Sequence, residues 1–314
     1  MKRCLAGQRI AALSAVLLLL FLSTGLNKAQ ESGYTIRSDV RLVLLDVSVK
    51  DHDGNFVSGL TKNNFAVFED GRRQQIAVFS GNDLPVTVGI LVDESSSMRP
   101  KRAEVLTAAE TFIKASNTQD QMFVLNFNDR VTPGLPPSAP FSDNIQQLRA
   151  ALQRGIPQGK TALYDAIVDG LKQLQVGRRE RKALIVISDG GDNASQSNRR
   201  EMLDMVESSA ASLYVIGVFD PEDSDRNPGV LKEMAKISGG LAYFPPGPSG
   251  VVPACEGIAR DMRARYTVGY NPPAPGRSKS VRHVRVVVSG PDGAHLIAHT
   301  RSTYRYEEAG HEAK

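Results

Sequence analysis

The sequence contains no tryptophan, and aromatic residues make up only 6% of its 314 residues. Leu, Val, Ile and Ala must therefore fill the core. Only two cysteines are present, which is too few for a disulfide framework. The sequence also lacks the Gly-x-Ser-x-Gly, phosphate-loop and His-Glu-x-x-His patterns that mark several hydrolase, nucleotide-binding and metalloprotease classes. With 41% hydrophobic and 23% charged residues, the composition is that of a folded globular protein.

The sequence has little excess charge once its first residues are set apart. The formal net charge is +4. Residues 1–29 carry Lys2, Arg3, Arg9 and Lys28 and no acidic residue, so the remaining chain is neutral. A neutral chain gives no electrostatic reason to expect nucleic acid as a partner.

Residues 1–29 have the pattern of an export signal. Basic residues precede an apolar run at 10–22, and small residues follow that run. The run is shorter than the roughly 20 residues that cross a bilayer. We therefore expect cleavage between Gly25 and Gln30, with a retained membrane anchor as the alternative. The mature protein would be secreted or periplasmic without a membrane span, and Cys255 would be its single cysteine.

The hydrophobic pattern of the rest of the chain changes twice. Short alternating strands give way to buried apolar strands that alternate with amphipathic helices, and alternating strands then return. The middle pattern predicts an α/β fold with a mainly parallel sheet. In the first β segment, the turn signal Glu69-Asp70-Gly71 predicts that strands at 65–68 and 75–79 form a hairpin. The predicted segments are a β segment at 36–82, the α/β domain at 85–264, a second β segment at 265–306 and a flexible tail at 307–314.

Polar side chains follow the first apolar strand of the α/β domain. The strand at 86–92 ends in Asp93-Glu94-Ser95-Ser96-Ser97. In open parallel sheets, ligands lie beyond the carboxyl ends of the strands. Asp93, Ser95 and Ser97 alternate along the loop, so their oxygens can converge. A carboxylate with two hydroxyls is a hard oxygen set, which suits Mg²⁺, Mn²⁺ or Ca²⁺.

Two further loops carry oxygen ligands to the same edge. Asp189 follows the apolar strand at 183–188, and Thr161 precedes a predicted helix. Thr161 would either cap that helix or contribute a hydroxyl ligand. A serine-rich loop alone would more simply cap a helix, but three such loops in one domain predict a divalent-cation site. Mg²⁺ is favoured, with Mn²⁺ or Ca²⁺ as alternatives.

These residues resemble a known family. Residues 85–265 are similar to a von Willebrand factor A domain, and Asp93, Ser95, Ser97, Thr161 and Asp189 match its metal-ion-dependent adhesion site. The motifs within 49–79, together with Tyr266-Thr267-Val268-Gly269-Tyr270, resemble the von Willebrand A-related proteins common in Acidobacteria. The resemblance implies a Rossmann-like α/β fold, with a central, mostly parallel sheet and helices on both faces, flanked by small β segments.

The resemblance also implies roles at the site. Ser95, Ser97 and Thr161 would contact the metal directly or nearly so, Asp93 and Asp189 directly or through water, and an Asp or Glu of a protein partner would complete the octahedron. One departure is Gln158-Gly159-Lys160-Thr161, where the family often has Gly-Gly before the threonine. Lys160 would lower metal affinity, pair with an acidic partner, or remain solvated.

Three functions stay open at this point. Two carboxylates only neutralise a divalent ion, so the ion remains electrophilic towards an incoming carboxylate. This favours an exported, non-enzymatic protein-binding module. The alternatives are a metal-dependent hydrolase, with Glu94 or Asp192 as the candidate base, and a scaffold whose metal site is vestigial.

Overall fold

We analysed a computed structural model, which describes residues 42–81, 83–219, 226–273, 281–291 and 293–305. The predicted export signal at 1–29 and the predicted tail at 307–314 lie outside these residues. Within the described ranges, no helix is both long and apolar enough to span a membrane.

The described chain contains fourteen strands and six α-helices. The strands are β1 (Val43–Lys50), β2 (Phe65–Glu69), β3 (Arg72–Gln74), β4 (Ile76–Ser80), β5 (Val86–Asp93), β6 (Gln121–Phe127), β7 (Val131–Pro133), β8 (Arg181–Ser188), β9 (Ser212–Gly217), β10 (Ala242–Tyr243), β11 (Tyr266–Tyr270), β12 (Val281–Ser289), β13 (His295–His299) and β14 (Thr303–Arg305). The helices are α1 (Arg102–Ala115), α2 (Ile145–Gln153), α3 (Leu163–Val176), α4 (Arg199–Ser208), α5 (Pro228–Ser238) and α6 (Val251–Arg263).

The middle of the chain forms a six-stranded sheet in the order β10-β9-β8-β5-β6-β7. All its pairs are parallel except β6 with β7. Every residue of β5 is buried, because helices cover both faces of the sheet. The even-numbered apolar residues of β5 face one core, which α1, α2 and α6 complete. Leu91 faces the other core, against α3, α4 and α5. The predicted Rossmann-like fold class is confirmed.

The centre of this sheet leaves no space for a side chain at Gly89. A Cβ built there would lie 2.5 Å from Leu184 Cδ2 and closer still to the ring of Phe123. Only glycine fits this position without displacing its neighbours, so the apolar strand is interrupted by a residue of low strand propensity.

The two flanking β segments form a single second sheet. Its order is β3-β2-β12-β13-β1-β11-β4, with β14 paired to β12. Strands from the first segment pair with strands from the second, as in β1 with β11 and β2 with β12. The sequence left this pairing open. Its physical basis is the alternating pattern of each segment, whose apolar residues meet in one core.

The predicted hairpin in the first segment is partly wrong. The turn at Asp70 and Gly71, both with positive φ, joins β2 to β3, as a two-residue hairpin loop requires. The second predicted strand is β4, and it pairs with β11 instead. Phe79 of β4 packs with its ring against Phe65 and Tyr266. Aromatic packing at long range therefore determined the partner of β4.

A buried polar network joins the second sheet to the α/β layer. Asp261 of α6 accepts hydrogen bonds from Ser48 Oγ of β1 at 2.5 Å and from Tyr214 Oη of β9 at 2.6 Å. It also pairs with Arg265 Nη2 at 2.7 Å, with both side chains buried. Burial raises the pKa of Asp261, but the charge of Arg265 and the three donors outweigh burial and hold it below its usual range.

Candidate functional site

Four of the five predicted ligand residues are linked by a short chain of hydrogen bonds at the carboxyl edge of the parallel sheet. Asp93 is the last residue of β5, and its Oδ1 accepts from the Ser95 amide at 2.9 Å. Ser95 Oγ lies 3.1 Å from Ser97 Oγ. Ser97 Oγ donates to Asp189 Oδ2 at 2.6 Å. The parallel order of β5 and β8 brings the two aspartates to the same edge.

The fifth residue, Thr161, lies in a loop bonded to both of the others. The Ser96 amide donates to Gly159 O at 3.1 Å. On the other side, the Thr161 amide donates to Asn193 Oδ1 at 2.9 Å, and the Asn193 amide returns a bond to Thr161 O at 3.0 Å. The three loops therefore form one bonded unit, which we call the site loops: residues 93–97, 158–161 and 189–195.

Thr161 does not cap the following helix, which removes the simpler interpretation of this residue. Helix α3 begins at Leu163, with Ala162 at the N-cap position and no side-chain cap. Its first amides are bonded by the third site loop: Tyr164 N donates to Asp192 Oδ1 at 3.0 Å and Asp165 N to Ser195 Oγ at 3.1 Å. Asp192 is thus a capping residue, and the Thr161 side chain has no capping role.

The site places two carboxylates close together in a buried environment. Asp93 and Asp189 are each only 2% exposed. Burial, and then the charge of Asp189, raise the pKa of Asp93 to about 7, although Ser188 and Ser95 donate hydrogen bonds to it. Two like charges in a poorly solvated position destabilise each other. A cation between them would offset that cost.

The available oxygens fit a hard divalent cation. Two carboxylates and three hydroxyls are the ligand types that Mg²⁺, Mn²⁺ and Ca²⁺ accept. Among the described residues, no group of three or more His, Cys, Asp and Glu side chains is placed to hold a metal. A metal at this edge would therefore depend on Ser95, Ser97 and Thr161 as much as on the aspartates.

Comparison with known families identifies the α/β domain. The model of the von Willebrand factor type A domain matches residues 87–247, just over half of the chain. The chain belongs to the von Willebrand factor type A family. The matched residues contain nearly all of the parallel sheet, helices α1 to α5 and all five predicted ligand residues, whereas α6 begins beyond them, at Val251. The narrower Acidobacteria-type assignment stays a prediction.

Solved structures share the fold of the type A domain at low sequence identity. A von Willebrand factor type A protein from Catenulispora acidiphila is 14% identical, with a TM-score of 0.51 over 87% of this chain and 76% of that chain. Proximal thread matrix protein 1 from the mussel byssus is also 14% identical, with a TM-score of 0.51 over 62% of this chain and 51% of that chain. The first match extends well beyond residues 87–247, into the second sheet. No curated protein matches the sequence.

Sequence reasoning missed two residues that shape the type A site. Ser188 is the last residue of β8, and its Oγ donates to Asp93 Oδ2 at 2.6 Å. Its position just before Asp189, at the end of an apolar strand, was an available signal. Asn193 holds the Thr161 loop, as described above. Nothing in the sequence distinguishes Asn193 from an ordinary turn asparagine, because its partner lies 32 residues away.

The two acidic residues considered as catalytic bases both have structural partners. Glu94 pairs with Arg102 Nε through its Oε2 at 2.9 Å, and Asp192 caps α3. Lys160, the departure from the family pattern, is exposed. Its amide donates to Asp129 Oδ1 at 3.1 Å, so at least its backbone has a role in fixing the Thr161 loop.

Proposed function

We propose that the chain is a non-enzymatic protein-binding module that holds a divalent cation at Asp93, Ser95, Ser97, Thr161 and Asp189. The ion would be Mg²⁺, with Mn²⁺ or Ca²⁺ as alternatives. It would supply an electrophilic position for an Asp or Glu side chain of a partner protein. The observation that carries the proposal is the pair of buried carboxylates, joined by hydroxyl groups at the carboxyl edge of a parallel sheet.

The partners of the nearby acids favour binding over hydrolysis. A hydrolase with this site would need a base free to take a proton from water. Glu94 is engaged with Arg102, and Asp192 is engaged with the first turn of α3 and with Ser195. Ser95, Ser97 and Thr161 are hydroxyl donors and acceptors, which suit ligation of a cation better than proton abstraction at neutral pH.

We further propose that the mature protein is secreted or periplasmic. Support comes from the basic and apolar pattern of residues 1–29. The motifs around β2, β3 and β11 support the Acidobacteria-type group within the family.

A metal titration tests the proposal. Purified protein is stripped with EDTA and melted in Mg²⁺ or Mn²⁺. At a metal concentration 100 times the dissociation constant, we expect about 2.7 kcal/mol of added stability, seen as a higher Tm. Asp93→Ala and Ser97→Ala should abolish the increase. Ser96→Ala is the matched control, because Ser96 is exposed between two ligand residues and should leave the increase intact. An unchanged melting curve in millimolar metal contradicts the proposal.

Partner capture needs a second measurement. A pull-down with the immobilised wild-type protein should retain its partner in Mg²⁺ and release it in EDTA. The Ser97→Ala protein should retain nothing above background. Retention that is indifferent to EDTA would contradict a metal-bridged contact, even if the metal titration succeeds.

A further inference from the structure

A cavity of about 410 Å³ opens beside the site loops. Glu94 and Gln158 of those loops line it, together with residues of β6, the turn between β6 and β7, and the segment that follows α2. It lies on the β6 side of β5, where Glu94 donates its amide to Phe127 O at 2.7 Å. Asp93 faces the other side and accepts from Ser188 of β8. The cavity and the predicted metal ligands are therefore neighbours at the same edge of the sheet.

The accessible charges of the lining are mainly positive. Arg130 and Arg154 are exposed, and neither guanidinium forms a hydrogen bond or an ion pair within the described part of the chain. Asp129 is the one exposed acid among the described lining residues, and its Oδ1 accepts from a backbone amide of the Thr161 loop at 3.1 Å. The other acid, Glu94, is buried and its charge is already paired. The charged groups that an entering side chain can reach are therefore cationic on balance.

The fold fixes the positions from which the two arginines reach the cavity. Arg130 lies in the turn between β6 and β7, where the Asn128 amide donates to Arg130 O at 3.2 Å. Arg154 directly follows the last residue of α2. The buried Asn126 of β6 donates from its Nδ2 to Ala151 O at 3.0 Å, which ties the end of α2 to β6. Two cations without a partner in the described chain thus border one cavity, on backbone segments that are bonded to the same strand.

The positive charge extends from the cavity to the site loops. Lys160, directly before Thr161, is exposed, and Arg99 donates from its Nη2 to Pro157 O at 3.0 Å, next to the lining residue 158. The chain beyond residue 29 has no net charge, so this concentration of cations belongs to one surface and not to the protein as a whole. Guanidinium groups form their strongest hydrogen bonds with anionic oxygens, of which the carboxylate is the one that an unmodified protein partner offers.

We propose that this cavity receives a second carboxylate from the protein partner whose first carboxylate binds the metal, and that Arg130 and Arg154 hold it. The partner segment would then carry at least two acidic residues, one for each position at this edge of the sheet. A basic side chain in the same place would meet two cations against one exposed acid. The identity of the partner rests on the proposed function, but the two arginines border the cavity whether or not a metal is bound.

Two capped peptides test the proposal: one has a single Asp followed by three Glu, and its match has the same Asp followed by three Gln. Each is titrated into the ¹⁵N-labelled protein in Mg²⁺. The Glu peptide should bind about tenfold more tightly, because it adds charge-assisted hydrogen bonds, and it should shift the amides of Arg130 and Gly155. Equal affinities overturn the proposal. Inorganic phosphate is the competing anion, and displacement of the Glu peptide by phosphate at equal concentration would assign the cavity to a phosphate group and also overturn the proposal.

Variants locate the second carboxylate. Arg130→Gln and Arg154→Gln should each remove part of the advantage of the Glu peptide, and the double variant should bind both peptides equally. Arg178→Gln is the matched control, because Arg178 is also exposed and lies before β8, at the opposite edge of the sheet. It removes the same charge and should keep the tenfold difference. All three side chains are exposed, so the variants should fold with an unchanged Tm. An advantage of the Glu peptide that survives in the folded double variant overturns the proposal.

The two proposals fail separately. In EDTA the Glu peptide should still shift the amides of Arg130 and Gly155, which the Gln peptide leaves unmoved, because the two arginines do not depend on the metal. A protein that shows these shifts but no metal-induced rise in Tm would refute the metal site alone. A protein that shows the rise in Tm but binds the two peptides equally would refute the second carboxylate alone.

Discussion

Removing the charge of Asp261 tests whether the network between the two sheets stabilises the protein. The carboxylate is fully buried and faces the guanidinium of Arg265, which is only 2% exposed. Asp261→Asn keeps the shape of the side chain but only one acceptor oxygen, whereas Ser48 donates to Oδ1 and Tyr214 to Oδ2. It leaves Arg265 as a buried cation without its carboxylate, although Ser212 Oγ and Gly239 O still accept from it.

The expected loss in the free energy of unfolding follows from the burial of both charges. Breaking a buried ion pair by removing one partner costs about 3 to 5 kcal/mol, because the remaining charge is uncompensated. An exposed pair is worth about 0.2 to 1 kcal/mol. Glu110→Gln, which breaks the pair with the half-exposed Arg149, should therefore cost less than about 1 kcal/mol and serves as the comparison.

The assay is urea unfolding followed by circular dichroism, with Asp261→Asn, Arg265→Met and the double variant. Because the double variant removes both buried charges, its loss should be smaller than the sum of the single losses by about 1 to 3 kcal/mol. The folded-state pKa of Asp261 is below its unfolded value. Its contribution is therefore complete above the unfolded value of about 3.9 and lost as the pH falls through the folded value. The difference in the free energy of unfolding between wild type and Asp261→Asn should narrow only in that acidic range.

Two results would refute this reasoning. One is a loss below about 1 kcal/mol for Asp261→Asn, which would place the pair among solvated surface contacts. The other is strict additivity in the double variant, which would mean that the two charges do not interact. A gap that narrows between pH 6 and 8 would show that a group other than Asp261 controls the pH dependence.

Three further predictions concern single positions. In a calorimetric titration, Asn193→Ala should weaken Mg²⁺ binding about 10- to 100-fold, as for loss of an outer-shell hydrogen bond. The control is Asn198→Ala, which removes the N-cap of α4. It should cost about 1 kcal/mol of stability and leave the Mg²⁺ affinity unchanged. Gly89→Ala should destabilise the protein by about 1 to 3 kcal/mol in urea through overpacking, and a neutral result would contradict the close approach seen there. Cys255 is buried and its pKa is raised to about 12. In a Cys4→Ser protein, where Cys255 is the only thiol, Ellman's reagent should therefore react only as the protein unfolds. Rapid reaction in native buffer would contradict the burial of Cys255.

The sequence by itself determined the layer type and placed most of the predicted ligand residues at one edge of the sheet. Apolar strands such as β5 and β6 cannot be exposed on either face, so they predict a covered parallel sheet. Asp93, Ser95 and Ser97 could be identified because they follow directly after such a strand, where the edge of the sheet is fixed by local pattern. The strand predicted at 86–92 is β5, which extends one residue further, to Asp93, because the apolar run that marks it is local.

Tertiary structure alone decided which elements meet. The pairing of β1 with β11 and of β2 with β12 joins residues more than 200 positions apart, and alternation specifies a buried face without naming its partner strand. For the same reason β4 was assigned to the wrong hairpin. The alternation in β4 was real, but the ring of Phe79 packs against Tyr266 from the other end of the chain.

The features of the candidate site fall into the same two groups: those determined by the sequence and those decided only by the tertiary structure. Residue type and strand position selected Asp93 and Asp189, whereas only the fold turned Asp93 towards Ser188 and placed the Asn193 side chain against Thr161. Among the described residues, no donor reaches the buried Oε1 of Glu94, and this also belongs to the second group, because the sequence shows an acid beside a predicted metal ligand and cannot show which of its oxygens lacks a donor. Local pattern determines which residues reach the edge of a sheet, and long-range packing determines what each of them faces.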